Sequence, residues 1–339
     1  MSKKRPSLGL VAELSGVSPS TVSRILNNTA KVSDSKKETV LRVIEETGFR
    51  PNLAARTLAG GRAMSVGVLT QYIDSPFYGE AIRGIEEVLA SEGYTALFAS
   101  GQGDRRLELE RLSMLMERNI DGLIVLSSTL EDDELEALAK ELPVVLTGRA
   151  TLNQKLTSIG FDNLGGGALA LGHLADLGHK IIAVIDGPDD PDSALRMEGI
   201  RSECRQRGIH LDSARVEVGD FNEQGGYRAM CRLLAKDRHF SAVIALNDQM
   251  AYGAMLALDE AGLRVPEDVS LVGFDNLSHS AYTVPPLTTI SQPVNRIGAM
   301  AASTVLAMSA GFEQSMDQAV DASIVVRQST TECKETLTS

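Results

Sequence analysis

Polar and aromatic side chains recur at the C-terminal ends of short apolar runs along this chain. Tyr72, Asp74, Pro76 and Phe77 follow VGVL (66–69), and Gly148-Arg149 follow VVL (144–146). Further along stand Asp162, the run from Asp186 to Arg196, Asp220-Phe221, Asn247-Asp248 and Asp275. Carboxylates accept two hydroxyl hydrogens at once, Arg and Asn fix orientation, and rings pack on an apolar sugar face. Gathered around one cleft, such a set suits a polyhydroxylated ligand. Taken singly, an Asp or Asn at a strand end serves equally well as a helix cap or turn former.

A second polar set stands near the N-terminus. In LGLVAELSGVSPSTVSRILN (8–27), Val11, Ala12, Leu14, Val17, Val22, Ile25 and Leu26 lie at helical spacing on either side of Ser15-Gly16-Val17. Gly16 suits the corner, Ser18 reads as an N-cap and Pro19 as the first residue of a second helix. That helix leaves Ser20, Thr21, Ser23, Arg24, Asn27 and Asn28 outward, groups able to reach bases or phosphates. Two short helices around a tight turn with such a face imply DNA binding. A third helix, capped by Ser33 and carrying Val40, Leu41, Val43 and Ile44, ends at Gly48, and Phe49 closes a small three-helix core.

Charge supports this reading. Residues 1–62 hold eleven Lys and Arg against five Asp and Glu, a net of +6, while the remainder carries −18 within a total of −12. A basic module on an acidic body suits nucleic acid. No apolar run approaches the ~18–20 residues of a membrane span. The opening MSKKRPS lacks the apolar stretch of a secretory signal, so a cytoplasmic protein is expected. Cys204 and Cys231 read as packed on helices and Cys333 as a tail residue, with no disulfide. His173 and His179, six apart, do not share a helical face, and neither a metal nor another cofactor is expected.

The elements that must position the first set follow from Val66 onward. VGVL, ALFA (96–99), GLIVL (122–126), VVL, IIAVI (181–185), AVIAL (242–246) and VSLVGF (269–274) alternate with amphipathic stretches. Runs apolar on both faces imply parallel strands covered by helices, about nine or ten of them. That number implies two doubly wound lobes, with a change of lobe at DNLGGG (162–167) and a ligand cleft at the strand ends.

The ordered motifs GVSPSTVSRILN (16–27), GFRPNLAARTLAGGR (48–62), LGHKIIAVIDG (178–187), NDQMAYGAM (247–255), VPEDVSLVGFDN (265–276), PPLTTISQP (285–293) and VRQST (326–330) resemble the LacI/GalR family of bacterial transcription regulators. The resemblance runs from about residue 7 to about 332. It implies an α/β chain with a helix-turn-helix head (1–50), a hinge helix (51–62) and a two-lobed, periplasmic-binding-protein-like body. The lobes would be 63–161 with about 291–320, and 162–290 with about 321–332, followed by a tail (333–339). It implies a homodimer on a pseudo-palindromic operator, with Ser18, Pro19, Ser20, Thr21, Ser23, Arg24 and Asn27 at the DNA. Pro19 and Ser20 have little reach, so Arg24 would carry most direct readout. Asn52, Ala55, Arg56 and Leu58 fall in the hinge, where Leu58 matches a minor-groove wedge.

In the cleft the resemblance implies an effector held by Tyr72, Asp74, Phe77, Arg149, Arg196, Phe221, Asn247 and Asp275, with Phe221 as the stacking ring. Gly148 departs from the Asp or Asn common before that Arg, which leaves room for a larger glycoside. The absence of a long leucine-rich helix after VRQST implies a dimer rather than a tetramer.

The expected function is thus a repressor of carbohydrate-utilisation genes, released from its operator by a sugar. The alternatives are a non-sugar or corepressor ligand such as a nucleobase, or a non-regulatory sugar-binding protein. The last would require an export signal and no residues 1–62. An enzyme is not expected, because GxxxxGK[ST], a GxGxxG after the first strand and GxSxG are all missing.

Overall fold

The structure is a computed structural model, and it describes residues 6–26, 32–49, 62–148, 153, 155–312 and 318–334. The chain divides into two units, Met1–Ala63 and Met64–Ser339.

The first unit holds three helices: α1 (Leu8–Ser15), α2 (Pro19–Leu26) and α3 (Asp34–Thr47). Gly16 ends α1 with φ at 65°, a left-handed conformation that costs a side-chain-bearing residue more than glycine. Ser18 Oγ accepts from Thr21 N at 3.2 Å and so caps α2. Ser33 stands before α3 without a side-chain cap, and Gly48 ends that helix with φ at 64°. Val11, Ala12, Val22, Ile25, Val40, Val43 and Phe49 form the core. Two expected core residues lie outside it: Leu14 is 57% and Leu41 48% exposed. Each sits one helical position beyond the stripe that faces the other helices, so a window of apolar residues overstated the buried face.

In the second unit, twelve strands among the described residues form two six-stranded sheets, more strands than the nine or ten expected. The first sheet is built from β1 (Ser65–Thr70), β2 (Thr95–Ser100), β3 (Gly122–Leu126), β4 (Val144–Thr147), β5 (Thr157–Phe161) and β11 (Gln318–Val320), in the order β11-β5-β4-β3-β1-β2. The second holds β6 (Ile182–Asp186), β7 (Val216–Val218), β8 (Ala242–Ala245), β9 (Ser270–Asp275), β10 (Thr288–Ser291) and β12 (Ser323–Val325), in the order β12-β10-β9-β8-β6-β7. The central strands are the apolar runs. The additional ones, such as β7 (VEV) and β10 (TTIS), are too short or too polar to stand out by hydropathy. All pairs are parallel except β10 with β12, where the last strand turns back along the edge.

The helices of this unit are α4 (Pro76–Ser91), α5 (Arg105–Met116), α6 (Asp132–Ala139), α7 (Asn163–Asp176), α8 (Pro191–Arg207), α9 (Glu223–Lys236), α10 (Asp248–Glu260) and α11 (Val294–Ser309). The chain passes from the first sheet to the second between β5 and β6. It returns through α11, which packs on α4, β3 and β4, and crosses once more between β11 and β12. Three helix pairs touch through reciprocal glycines. A Cβ on Gly84 would meet Asn295 O and one on Gly298 would meet Ala81 O; Gly167 and Gly199 stand likewise against Arg196 O and Leu164 O, and Gly226 and Gly253 against Met250 O and Glu223 O. These contacts draw the helices closer than ordinary side chains permit, and they fix the pairs α4–α11, α7–α8 and α9–α10.

Among the cysteines, Cys204 is buried, whereas Cys231 on α9 is exposed rather than packed, and Cys333 is intermediate. Cys231 lies on the outward face of α9, whose inner face is filled by Ala229, Met230, Leu233 and Leu234. His173 bonds Thr330 Oγ1 at 3.0 Å, and His179 bonds Ser241 Oγ and Thr331 O at 2.8 and 3.0 Å, so both tie the C-terminal segment to the second sheet.

Candidate effector cleft and DNA-reading helix

Between the strand ends of the two sheets lies a cavity of about 670 Å³. The N-termini of α4, α8, α9 and α10 open onto it, because each begins directly after a strand or its short loop. Pro76 opens α4 and Pro191 opens α8. Asp190 caps α8 by accepting from Asp192 N and Ser193 N, Asn222 Oδ1 caps α9 by accepting from Gly225 N, and Asn247 Oδ1 caps α10 by accepting from Met250 N at 2.8 Å. Cap chemistry and ligand chemistry therefore occupy the same residues.

Of the residues singled out from the sequence, Tyr72, Asp74, Phe77, Arg196, Phe221, Asn247 and Asp275 all line this cavity, with Pro76 and Asp220 beside them. Arg149 lies outside the described residues, as do Asn27, Asn28, Asn52, Ala55, Arg56 and Leu58. Asp162 and Asp186 are not part of the lining. Asp162 caps α7 by accepting from Gly165 N at 2.8 Å, and Asp186 accepts from Gly187 N at 2.8 Å.

Arg196 is the centre of the site. It is buried, lying 4.0 Å above the Phe274 ring and 5.7 Å from that of Phe221. Its Nε donates to Asn163 Oδ1 at 2.8 Å and its Nη1 to Leu246 O. Asp275, equally buried, stands 4.0 Å from Nη1 and accepts from Gln292 Nε2 at 3.0 Å. Burial pushes the Asp275 carboxyl well above its ordinary value, against the lowering pull of Arg196. Phe221, Asp275 and Asn276 have φ of 53°, 116° and 58°, a left-handed backbone held by its surroundings. One restraint on Phe221 is its carbonyl, which accepts from Asn247 Nδ2 at 3.0 Å.

Several lining residues were not singled out as site residues from the sequence. Asp192 accepts from Asn163 Nδ2 at 2.8 Å, and burial raises its pKa to about 6, partly offset by the Arg196 charge. Tyr78 has its phenol shifted upward by burial, with Ser127 as its hydrogen-bond partner. Ser75 of the first lobe donates to Gln249 Oε1 of the second at 3.4 Å, and Gln249 Nε2 donates to Glu223 Oε1 at 3.2 Å. Behind Tyr72, the buried Glu108 accepts from Gln71 Nε2 at 3.0 Å and Thr129 Oγ1 at 2.8 Å, and also from Ser128, so it fixes the loops at one wall. A signal was present for Asp192, which stands four residues before Arg196 in the first turn of a helix. Glu108 gave none, because a Glu in LELERL reads as solvated surface.

In the N-terminal unit, α2 presents Pro19, Ser20 and Arg24 exposed and Thr21 and Ser23 half-exposed. Ser18 Oγ lies 2.8 Å from both Ser20 Oγ and Thr21 Oγ1, so Ser18 is engaged in capping. Arg24, one of the last residues of α2, is the cation on that face.

Two six-stranded sheets around a polar cleft, joined to a helix-turn-helix unit, define a ligand-responsive DNA-binding regulator rather than an enzyme. Residues 8–52 match the family described as bacterial regulatory proteins, lacI family, and residues 171–330 match the periplasmic binding protein-like domain. The chain is 35% identical to the HTH-type transcriptional repressor PurR of Pasteurella multocida, over 86% of this chain and 88% of that protein. It is also 35% identical to the ribose operon repressor of Escherichia coli, over 86% and 89%. The Lac repressor dimer bound to operator and the anti-inducer ONPF superposes with a TM-score of 0.88 at 29% identity, covering 97% of this chain and all of that one. The complex of the regulator CelR with cellobiose gives 0.72 at 32% identity over 96% of this chain and all of that one. The protein belongs to the lacI family of bacterial transcription regulators. No helix among the described residues is long and apolar enough to cross a membrane.

Proposed function

We propose that the protein is a cytoplasmic homodimeric repressor of carbohydrate-utilisation genes, released from a pseudo-palindromic operator when a sugar occupies the cleft. The observation that carries the sugar is the buried Arg196 between Asp275 and Asp192, with Phe221 at one side. Carboxylates accept from hydroxyls, the guanidinium donates to them, and the ring covers an apolar face. The regulator CelR complexed with cellobiose and the lacI-family regulator of Enterococcus faecium with bound ribose support a sugar in such a cleft.

In this reading residues 1–50 read DNA through Ser18, Pro19, Ser20, Thr21, Ser23, Arg24 and Asn27. Residues 51–62, with Asn52, Ala55, Arg56 and Leu58, form the hinge, and the two lobes hold the effector, Arg149 included. Ligand in the cleft changes the angle between the lobes, and with it the spacing of the two hinges across the dimer. Close hinges pack on each other and on the minor groove; separated ones do not. A coupling of roughly 1–3 kcal/mol changes operator affinity 5- to 150-fold, and the operator must weaken ligand binding by the same factor.

The test is to incubate the ligand-free full-length protein with sheared genomic DNA, sequence what it retains, and add sugars to the retained complex. A recurring palindrome beside sugar transport or hydrolase genes, released by one of those sugars, is expected. A palindrome beside genes of another pathway, unmoved by sugars, overturns the sugar. No enrichment of any site overturns the ligand-released repressor.

A further inference from the structure

We propose that Asp192 makes this cleft select uncharged or cationic ligands and reject their anionic esters. The inference rests on the sugar reading and narrows it to unphosphorylated sugars.

Among the described residues lining the cavity, the acidic ones are Asp74, Asp192, Asp220, Glu223 and Asp275, and the basic one is Arg196. Asp220 is neutralised by Arg228 at 2.6 Å. The other four stand against a single guanidinium, and Arg149 would bring the cations only to two. The guanidinium is moreover committed: Nε holds Asn163, Nη1 holds Leu246 O, and its charge is shared by Asp275 and Asp192.

The free hydrogen-bonding positions are specific. Asp192 Oδ1 is taken by Asn163 and Asp275 Oδ1 by Gln292, so the Oδ2 atom of each has no protein donor among the described residues. Nη2 of Arg196 has no protein acceptor there either. The open groups on these three side chains are thus two acceptors and one donor, all on residues that line the cavity. A vicinal diol matches this set, since each hydroxyl can donate to a carboxylate while accepting from the guanidinium. A phosphate or carboxylate has only acceptors to offer, and it would face two carboxylates at low dielectric with no proton to give them. With Ser or Asn in place of Asp192, three carboxylates (Asp74, Glu223 and Asp275) instead of four would stand against the guanidinium, and the penalty would fall. Burial is the main cause of the raised pKa of Asp192, which marks the low dielectric in which an anion would meet this carboxylate.

The experiment titrates full-length protein at pH 7.5 by calorimetry with matched pairs: ribose and ribose 5-phosphate, glucose and glucose 6-phosphate, cellobiose and its phosphate. Glucosamine and hypoxanthine complete the set. At least one neutral sugar is expected to bind, with its ester at least 100-fold weaker, and D192N, or D192S should the first variant not fold, is expected to shrink that ratio at least tenfold. An ester that binds as tightly as its parent sugar overturns the role of Asp192 and leaves the sugar reading standing. A ratio unchanged in both variants does the same. Binding of hypoxanthine with silence from every sugar overturns the sugar reading itself, and silence from the whole set counts against both.

Discussion

Asn163 Oδ1 accepts from Arg196 Nε at 2.8 Å, while Nδ2 of the same amide donates to Asp192 Oδ1 at 2.8 Å. One buried side chain thus orients the cation and a carboxylate of the cleft without lining the cavity itself. Asn163→Ala leaves a buried guanidinium N–H without its acceptor, a loss of roughly 1–3 kcal/mol. Ligand affinity is expected to fall ten- to a hundredfold while circular dichroism stays unchanged. Undiminished affinity in a calorimetric titration would show that the guanidinium needs no such anchor.

The same carboxylate predicts a pH dependence with two opposite signs. Burial raises the Asp192 carboxyl in the folded protein to about 6 from its ordinary value of 3.8. The native state therefore holds this proton more tightly than the unfolded chain, and acidification from about pH 6 toward 4 stabilises the ligand-free protein through this group. A ligand that donates to the carboxylate needs it ionised, so its affinity should drop severalfold between pH 7.5 and 5. Asp275, also shifted upward, contributes in the same direction. Titrations at the two pH values check this; an affinity that does not vary refutes it.

Asp248 holds together the segment behind the cleft. Its carboxylate accepts from Leu277 N at 2.8 Å, from Thr289 Oγ1 at 2.6 Å and from Ser280 Oγ. Asp248→Ala strands several buried donors and is expected to destabilise the body by about 3 kcal/mol in urea denaturation. Asp248→Asn, which keeps one oxygen, should cost less. Equal losses for the two variants would mean that side-chain volume rather than hydrogen bonding matters there.

Gly167 and Gly160 make a matched comparison. A Cβ on Gly167 collides with the backbone of Arg196, whereas one on Gly160 meets nothing within 4 Å. Gly167→Ala is expected to lower stability by about 2 kcal/mol and to weaken ligand binding, since it pushes α8 and Arg196 away. Gly160→Ala should stay within about 0.5 kcal/mol of the parent. Thermal denaturation of the pair separates close approach from a general intolerance of alanine.

At the DNA, Arg24→Ala is expected to remove about 1–3 kcal/mol of operator discrimination. Leu58→Ala should weaken operator binding far more than random-sequence binding. Filter binding on both DNAs is the measure, and equal losses on the two for Leu58 would count against a wedge.

Much of this was legible along the chain. The turn at Gly16, the cap at Ser18, the central strands and the clustering of Tyr72, Phe77, Arg196, Phe221, Asn247 and Asp275 follow from local rules: period, capping and the position of polar residues after apolar runs. Such rules act over a few residues, so a sequence displays them directly. Leu14, Leu41 and Cys231 mislead because helical spacing marks a face, while only packing decides how wide the buried part of that face is.

Tertiary structure alone decided the rest. The bonds from Asn163 to Arg196 and Asp192 span 33 and 29 residues of sequence, and those among Glu108, Gln71 and Thr129 span 37 and 21. No local pattern encodes those distances. The charge balance of the cleft has the same origin: each carboxylate is ordinary in its own segment, and only the folding of two sheets around one cavity sets several of them against one guanidinium, where low dielectric turns their number into selectivity.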